Sequence, residues 1–250
     1  MRIFLVAFLS VFILTGCVTS QAPITGRTQL ILIDSAQEKT LGLSASEEIL
    51  QSANKSKDVK LTNKIIEIGK KIVAVSPEAS AYEWSFYLIE EDTINAFALP
   101  GGQVFFYTGI LKLMSNDDQI ATVMGHEIAH VLAHHGAERM SHQMLSNIGS
   151  QVLSTALEIP AQYQGIYDAA YGVATNVGVI LPFSRKHESE ADKIGIYLMY
   201  KAGYNPNEAI KFWQKMSEAS GGATTPEFLS THPADATRIK DIEAYIKTLQ

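Results

Sequence analysis

Apolar positions recur at helical spacing over two early stretches, Ser35 to Leu50 and Asp58 to Val75. In the second, Leu61, Ile65, Ile68 and Ile72 form one stripe, and Ser76-Pro77 ends it. The period then shortens. Glu83–Glu90, Ile94–Leu99 and Val104–Tyr107 are rich in aromatic and β-branched residues and read as strands of a small sheet. Pro100-Gly101-Gly102 supplies the turn between the last two. Such a hairpin can leave a strand at the sheet edge, where an extended peptide can pair. From Asp117 the pattern is helical again, with Asn116, Asp117 and Asp118 as N-terminal caps. Further helices are expected over Gln162–Ala174, Lys186–Ala202, Asn207–Ser220 and Ala234–Leu249. They are separated by Leu181-Pro182, by Gly203-Tyr204-Asn205-Pro206 and by Gly221 to Pro226. The expected class is α+β, helix-rich, in one domain.

The first residues follow another pattern. Arg2 precedes an apolar run from Ile3 to Leu14, too short to span a bilayer, which takes ~20 residues. It fits the apolar core of a signal peptide. Leu14-Thr15-Gly16-Cys17 resembles a bacterial lipobox, with lipidation expected at Cys17 and membrane attachment through that anchor. The organisation expected is a lipoprotein signal peptide over 1–16, a lipidated tether over 17–29 and a metallopeptidase domain over 30–250. Val18, where an aspartate would retain a lipoprotein in the inner membrane, points to the outer membrane facing the periplasm. Cys17 is the only cysteine, which excludes a thiolate nucleophile, cysteine metal ligands and disulfides. The net charge of −6, with no basic run, argues against nucleic acid as a partner.

The chemistry concentrates in His126-Glu127-Ile128-Ala129-His130, an H-E-x-x-H pattern. On a helix, residues four apart share a face, so both imidazoles can reach one zinc ion. Glu127 is then placed to take a proton from a zinc-activated water and pass it to the leaving amine. Apolar Ile120, Val123, Met124, Ile128, Val131 and Leu132 surround the motif, as in a buried helix. A catalytic zinc needs a third ligand. Gly136 occupies the position where a metzincin would have its third histidine, so that class fails. His134 and His135 read as solvent-facing or as support behind the ligands. Downstream, Glu188 and Asp192 lie four apart; one carboxylate can bind zinc while the other accepts a hydrogen bond from a ligand histidine. Glu190 is the runner-up ligand.

The order H-E-x-x-H then E-x-x-x-D resembles the gluzincin metallopeptidases, and more closely the HtpX, BepA, LoiP and Oma-type family. Asn95 to Gly102 resembles that family's edge strand and turn, Glu190-Ala191-Asp192 its downstream helix, and Thr231-His232-Pro233 with Arg238 and Ile239 its C-terminal motif. Membrane-embedded members carry transmembrane helices that this chain lacks, so the resemblance is to a soluble lipoprotein branch. It implies a gluzincin-like domain with one zinc per chain on His126, His130 and Glu188. Glu127 would be base and acid, and Asp192 would orient His126. Asn95, Ala96, Phe97, Ala98 and Leu99 would bind substrate backbone as an added strand. His232 would act in catalysis as an oxyanion donor, or hold the fourth zinc position at rest, and Arg238 would brace its segment. The implied function is an endopeptidase of the bacterial cell envelope that cuts unfolded or misassembled polypeptides. The alternative is a chaperone-like assembly factor with a latched or mainly structural zinc, with an envelope-assembly protein as partner. The segment from Tyr163 to Phe183, which joins the two metal-binding helices, is expected to line or cover the cleft.

Overall fold

The computed structural model describes residues 19–175, 181–220, 226–233 and 236–249. The signal peptide, Cys17 and Val18 lie outside the described residues, as does part of the 163–183 segment. The element order is β1 (Thr19–Gln21), β2 (Thr28–Leu30), α1 (Ser35–Ser52), α2 (Val59–Val73), β3 (Ser85–Ile89), β4 (Ala96–Leu99), β5 (Gln103–Tyr107) and the short α3 (Thr108–Leu111). Then come α4 (Asp117–Leu132), α5 (His135–Ala156), α6 (Gln164–Thr175), α7 (Leu181–Lys201), α8 (Asn207–Ser220), the short α9 (Glu227–Thr231) and α10 (Ala236–Ile246). The expected helix-rich α+β class is what the chain adopts.

Local chemistry sets the helix starts. Asp34 accepts from the Ala36 and Gln37 amides and Gln37 reaches back, a capping box for α1. Asp58 caps α2 through the Leu61 amide, and Asn116 caps α4 through that of Gln119. The α2 stripe buries Ile65, Ile68 and Ile72. Gly69 on the same helix admits the Phe86 ring of β3, which a methyl there would meet at 2.3 Å. Each such fully buried aliphatic side chain stabilises the fold by roughly 1.5–3 kcal/mol relative to exposure.

The main sheet has the order β3-β5-β4, with β3 parallel and β4 antiparallel to β5. Gly101 and Gly102 make the β4–β5 turn at φ of 107° and 103°, a region that favours glycine. Central β5 buries Val104, Phe105 and Phe106 completely. β4 is an edge strand. Asn95 O accepts from Tyr107 N and Leu99 O from Gly102 N, so the odd positions face β5. By alternation, the backbone groups of Ala96 and Ala98 face the other way.

Two expectations change. The tether stretch is, from Thr19, a hairpin in which β1 pairs with β2, and Gln29 is buried. Leu181-Pro182, expected as a break, opens α7, because proline in a first helical turn gives up no intrahelical bond. Among the described residues, no helix is long and apolar enough to cross a membrane.

Candidate metal centre

Helix α4 is buried nearly all round: His126 and Glu127 are buried, and His130 is half-buried. His126 and His130 sit one turn apart on it. Helix α7 runs beside α4 in the most extensive contact among the described elements. The two helices meet at Gly125 and Gly195, where a Cβ on Gly195 would stand 2.7 Å from Gly125 C and His126 N. That close approach brings Glu188 and Asp192 of α7 against the histidines. The α9–Pro233 corner then delivers His232 from the far side.

Four ligand-type atoms converge from His126, His130, Glu188 and His232, all within 4.8 Å of one another. His126 Nε2 lies 3.1 Å from His130 Nε2 and 3.1 Å from His232 Nδ1. Glu188 Oε2 lies 2.9 Å from His232 Nδ1 and 3.3 Å from His126 Nε2, and Oε1 lies 3.4 Å from His130 Nε2. Donors held tetrahedrally at ~2.0–2.1 Å from one zinc stand about 3.3–3.4 Å apart, so the spacing fits that ion. An imidazole nitrogen carries at most one proton, so His126 Nε2 cannot satisfy both neighbouring rings by hydrogen bonding. A shared cation resolves that conflict. The donor set, three imidazoles and a carboxylate, suits zinc.

Asp192 Oδ1 is 3.0 Å from His126 Nδ1. Asp192 is in turn gripped by Arg238, Nε to Oδ2 at 2.7 Å and Nη2 to Oδ1 at 2.8 Å. The guanidinium lies over the Trp213 ring at 3.6 Å and also donates to Pro233 O, which ties the His232 corner to α7. Burial opposes a charge on His126, but hydrogen bonds to Asp192 and Glu188 outweigh it and push the imidazole up to about 9. His130 moves the other way, lowered by burial and by charge on His126. Burial also works against the Glu188 carboxylate, yet His232, His130 and His126 hold it well below its ordinary value.

Glu127 points toward β4. Its Oε2 accepts from the Ala98 amide at 3.1 Å. Its buried Oε1 has no hydrogen-bond partner among the described residues, and His232 Nε2 stands 3.5 Å from it. Burial raises the Glu127 pKa. A cleft of about 440 Å³ opens between β4 and the ligands, lined by Phe97, Ala98, Leu99, Glu127, His130 and His232. Ala96 is buried, and Phe97 stacks on Phe105 at 5.0 Å. The Asn95 side chain is turned away, bonded to Glu227 at 3.0 Å.

The sequence-predicted residues His126, Glu127, His130, Glu188, Asp192, His232 and the β4 edge thus come together in one place. Glu190 does not join the ligand atoms; it faces Arg27 and His135 instead. His134, at φ 52°, is directed to Glu38 at 2.8 Å. His135 is buried, its Nδ1 2.8 Å from His130 Nδ1. Sequence reasoning missed Arg27, Glu138 and His187, which surround Glu190 and His135. The one signal for Glu138 was its place one turn after His135.

The description "Peptidase family M48" matches residues 60–246. The chain is 35% identical over 182 residues to mitochondrial metalloendopeptidase OMA1 of Schizosaccharomyces pombe, covering 72% of this chain and 52% of that protein. It is 32% identical over 245 residues to OMA1 of Saccharomyces cerevisiae, covering 90% of this chain and 68% of that protein. It is 31% identical over 210 residues to the beta-barrel assembly-enhancing protease of Escherichia coli, covering 82% of this chain and 43% of that protein. The chain therefore spans about half the length of several of these relatives. The outer-membrane location expected from Val18 is overturned by the relatives in fission yeast, budding yeast, zebrafish and human, all of them named mitochondrial.

Proposed function

The chain belongs to peptidase family M48, and we propose that it is a metalloendopeptidase that cuts unfolded or misassembled proteins at a zinc held by His126, His130 and Glu188. The observation that carries this reading is the convergence of those three residues beside Glu127 and the free edge of β4. Zinc, when bound, supplies Lewis acidity toward water and the scissile carbonyl. Glu127 takes the proton of the attacking water on Oε1 and returns it to the leaving amine. Asp192, held by Arg238, keeps the His126 ring aimed with its Nδ1 proton directed away from the metal. Substrate adds as a strand along Ala96–Leu99, which only an extended, unfolded segment can do. The Ala98 amide, given to Glu127 at rest, passes to the substrate backbone. His232 supports a latched resting state, because a fourth protein ligand closes the position that a catalytic metal keeps open.

Digestion of casein, an unfolded substrate, beside a stably folded protein tests the substrate class. Ala98→Pro removes the edge amide while leaving all metal ligands in place, and proline is tolerated on an edge strand. The wild type is expected to cut casein and spare the folded protein, and Ala98→Pro to keep its zinc and lose casein cleavage. Full activity of Ala98→Pro would refute strand addition, and equal cleavage of the folded protein would refute the substrate class.

A further inference from the structure

His130 is braced from behind by a chain of contacts that ends outside the family-matched segment. Its Nε2 faces the ligand group, so binding metal there leaves the ring proton on Nδ1. That Nδ1 lies 2.8 Å from His135 Nδ1. His135 then accepts on Nδ1 and carries its own proton on Nε2, which lies 3.0 Å from Glu190 Oε2. Glu190 receives Arg27 Nε at 2.5 Å and the Thr25 hydroxyl. The same guanidinium forks onto Glu138, Nη1 to Oε1 at 2.9 Å and Nη2 to Oε2 at 2.7 Å. Glu138 also meets His187 Nε2 at 2.9 Å, and the His187 ring stacks on His135 at 4.3 Å.

His135, Glu138, His187 and Glu190 are all buried. Arg27 is thus a cation set between two buried carboxylates, one of which fixes the ring behind a metal ligand. Removing one partner of such a group leaves charge uncompensated in a poorly solvated place. Glu190 would then turn toward solvent or another donor, and His135 would lose the acceptor that sets its tautomer. Arg27 and Thr25 belong to the β1–β2 hairpin, whereas the family description begins at residue 60. His126 needs no such help, since Asp192 and Arg238 brace it from α7 and α10.

We infer that Arg27 is a positioning residue for the metal: the docked N-terminal hairpin fixes the aim and tautomer of His130 through Glu190 and His135, so zinc retention depends on that hairpin. The inference rests on the zinc reading above. It deepens that reading by making the hairpin part of the metal-holding apparatus.

The test is zinc affinity of the full chain, measured by competition with a chromophoric chelator, with thermal melting of the metal-free protein alongside. The variants are Arg27→Met, Arg27→Lys, His135→Phe and the Arg27→Met/His135→Phe double. Loss of a partner that orients a ligand costs about 10–100-fold in metal affinity, and that weakening is expected for Arg27→Met and for His135→Phe. The double variant is expected to bind no more weakly than His135→Phe alone, because both act along one path. Arg27→Lys, which keeps the charge but not the fork, should recover part of the loss, and it carries the test if Arg27→Met fails to fold. Wild-type affinity in Arg27→Met, with only its melting lowered, would overturn the inference and leave the hairpin a simple fastening. Effects that multiply in the double variant would also overturn it. A wild type that binds no zinc would overturn the zinc reading as well, which separates the two failures.

Discussion

Replacing Gly195 by alanine tests whether the α4–α7 contact sets the ligand spacing. The new Cβ would lie 2.7 Å from Gly125 C and His126 N, short of ordinary 3.4 Å contact by about 0.7 Å. Both neighbours are backbone atoms, so no side chain can swing aside, and the helices must part. Overpacking of this kind costs about 1–3 kcal/mol. Glu188 lies two turns before Gly195, on the same face of α7. A displacement of about 0.7 Å there exceeds the ~0.2 Å tolerance of metal–ligand distances. Urea unfolding of metal-free and zinc-saturated protein separates the two effects, because the difference between the curves reports zinc binding to the folded state. The metal-free variant should lose about 1–3 kcal/mol, and its zinc-dependent increment should shrink. Gly165 has nothing within 4 Å of an added Cβ. Gly165→Ala is therefore the control, neutral or stabilising by up to about 1 kcal/mol. If Gly195→Ala unfolds like the wild type and keeps the full zinc increment, this contact does not set the metal geometry.

Other expectations follow from single contacts. His232→Ala should raise the basal rate of peptide cleavage, since it removes a fourth ligand 3.1 Å from His126 Nε2; a fall in kcat with zinc retained would assign His232 to the transition state instead. Arg238→Lys loses both the fork on Asp192 and the stack on Trp213, and it should weaken zinc about tenfold or more in a chelator competition. Glu208, hydrogen-bonded by Lys211, Asn116 and Gln119, is lowered to about 2 from an ordinary 4.5. A lowered carboxylate stabilises fully above its unfolded pKa and loses that stabilisation as pH falls. The melting-temperature gap between wild type and Glu208→Gln should therefore narrow between pH 4.5 and 2; a gap that stays constant there would contradict the assignment.

The parts of the site that were legible in the sequence are those fixed by helical spacing. His126 with His130, and Glu188 with Asp192, are pairs four apart, and that geometry needs no tertiary information. The β4 edge was legible because Pro100-Gly101-Gly102 is a turn signal set between two strand-like runs, Ile94–Leu99 and Val104–Tyr107. Arg27 was not, because a single arginine among Pro23, Gly26 and polar residues has no period to read. Its place comes only from carboxylates more than a hundred residues away. The separate α5 escaped for a different reason: the turn at His134 uses a left-handed histidine, where sequence rules look for glycine. Pro182 misled because proline ends a helix in one position and starts it in another.

The most direct test of the account is to measure zinc content and casein cleavage on the same samples of wild type and Glu127→Gln. Zinc near one per chain is expected in both, with cleavage falling by roughly 10²–10⁴-fold in the variant, the scale of a lost general base. Wild-type cleavage by Glu127→Gln, or a wild type that cuts casein without bound zinc, would contradict it.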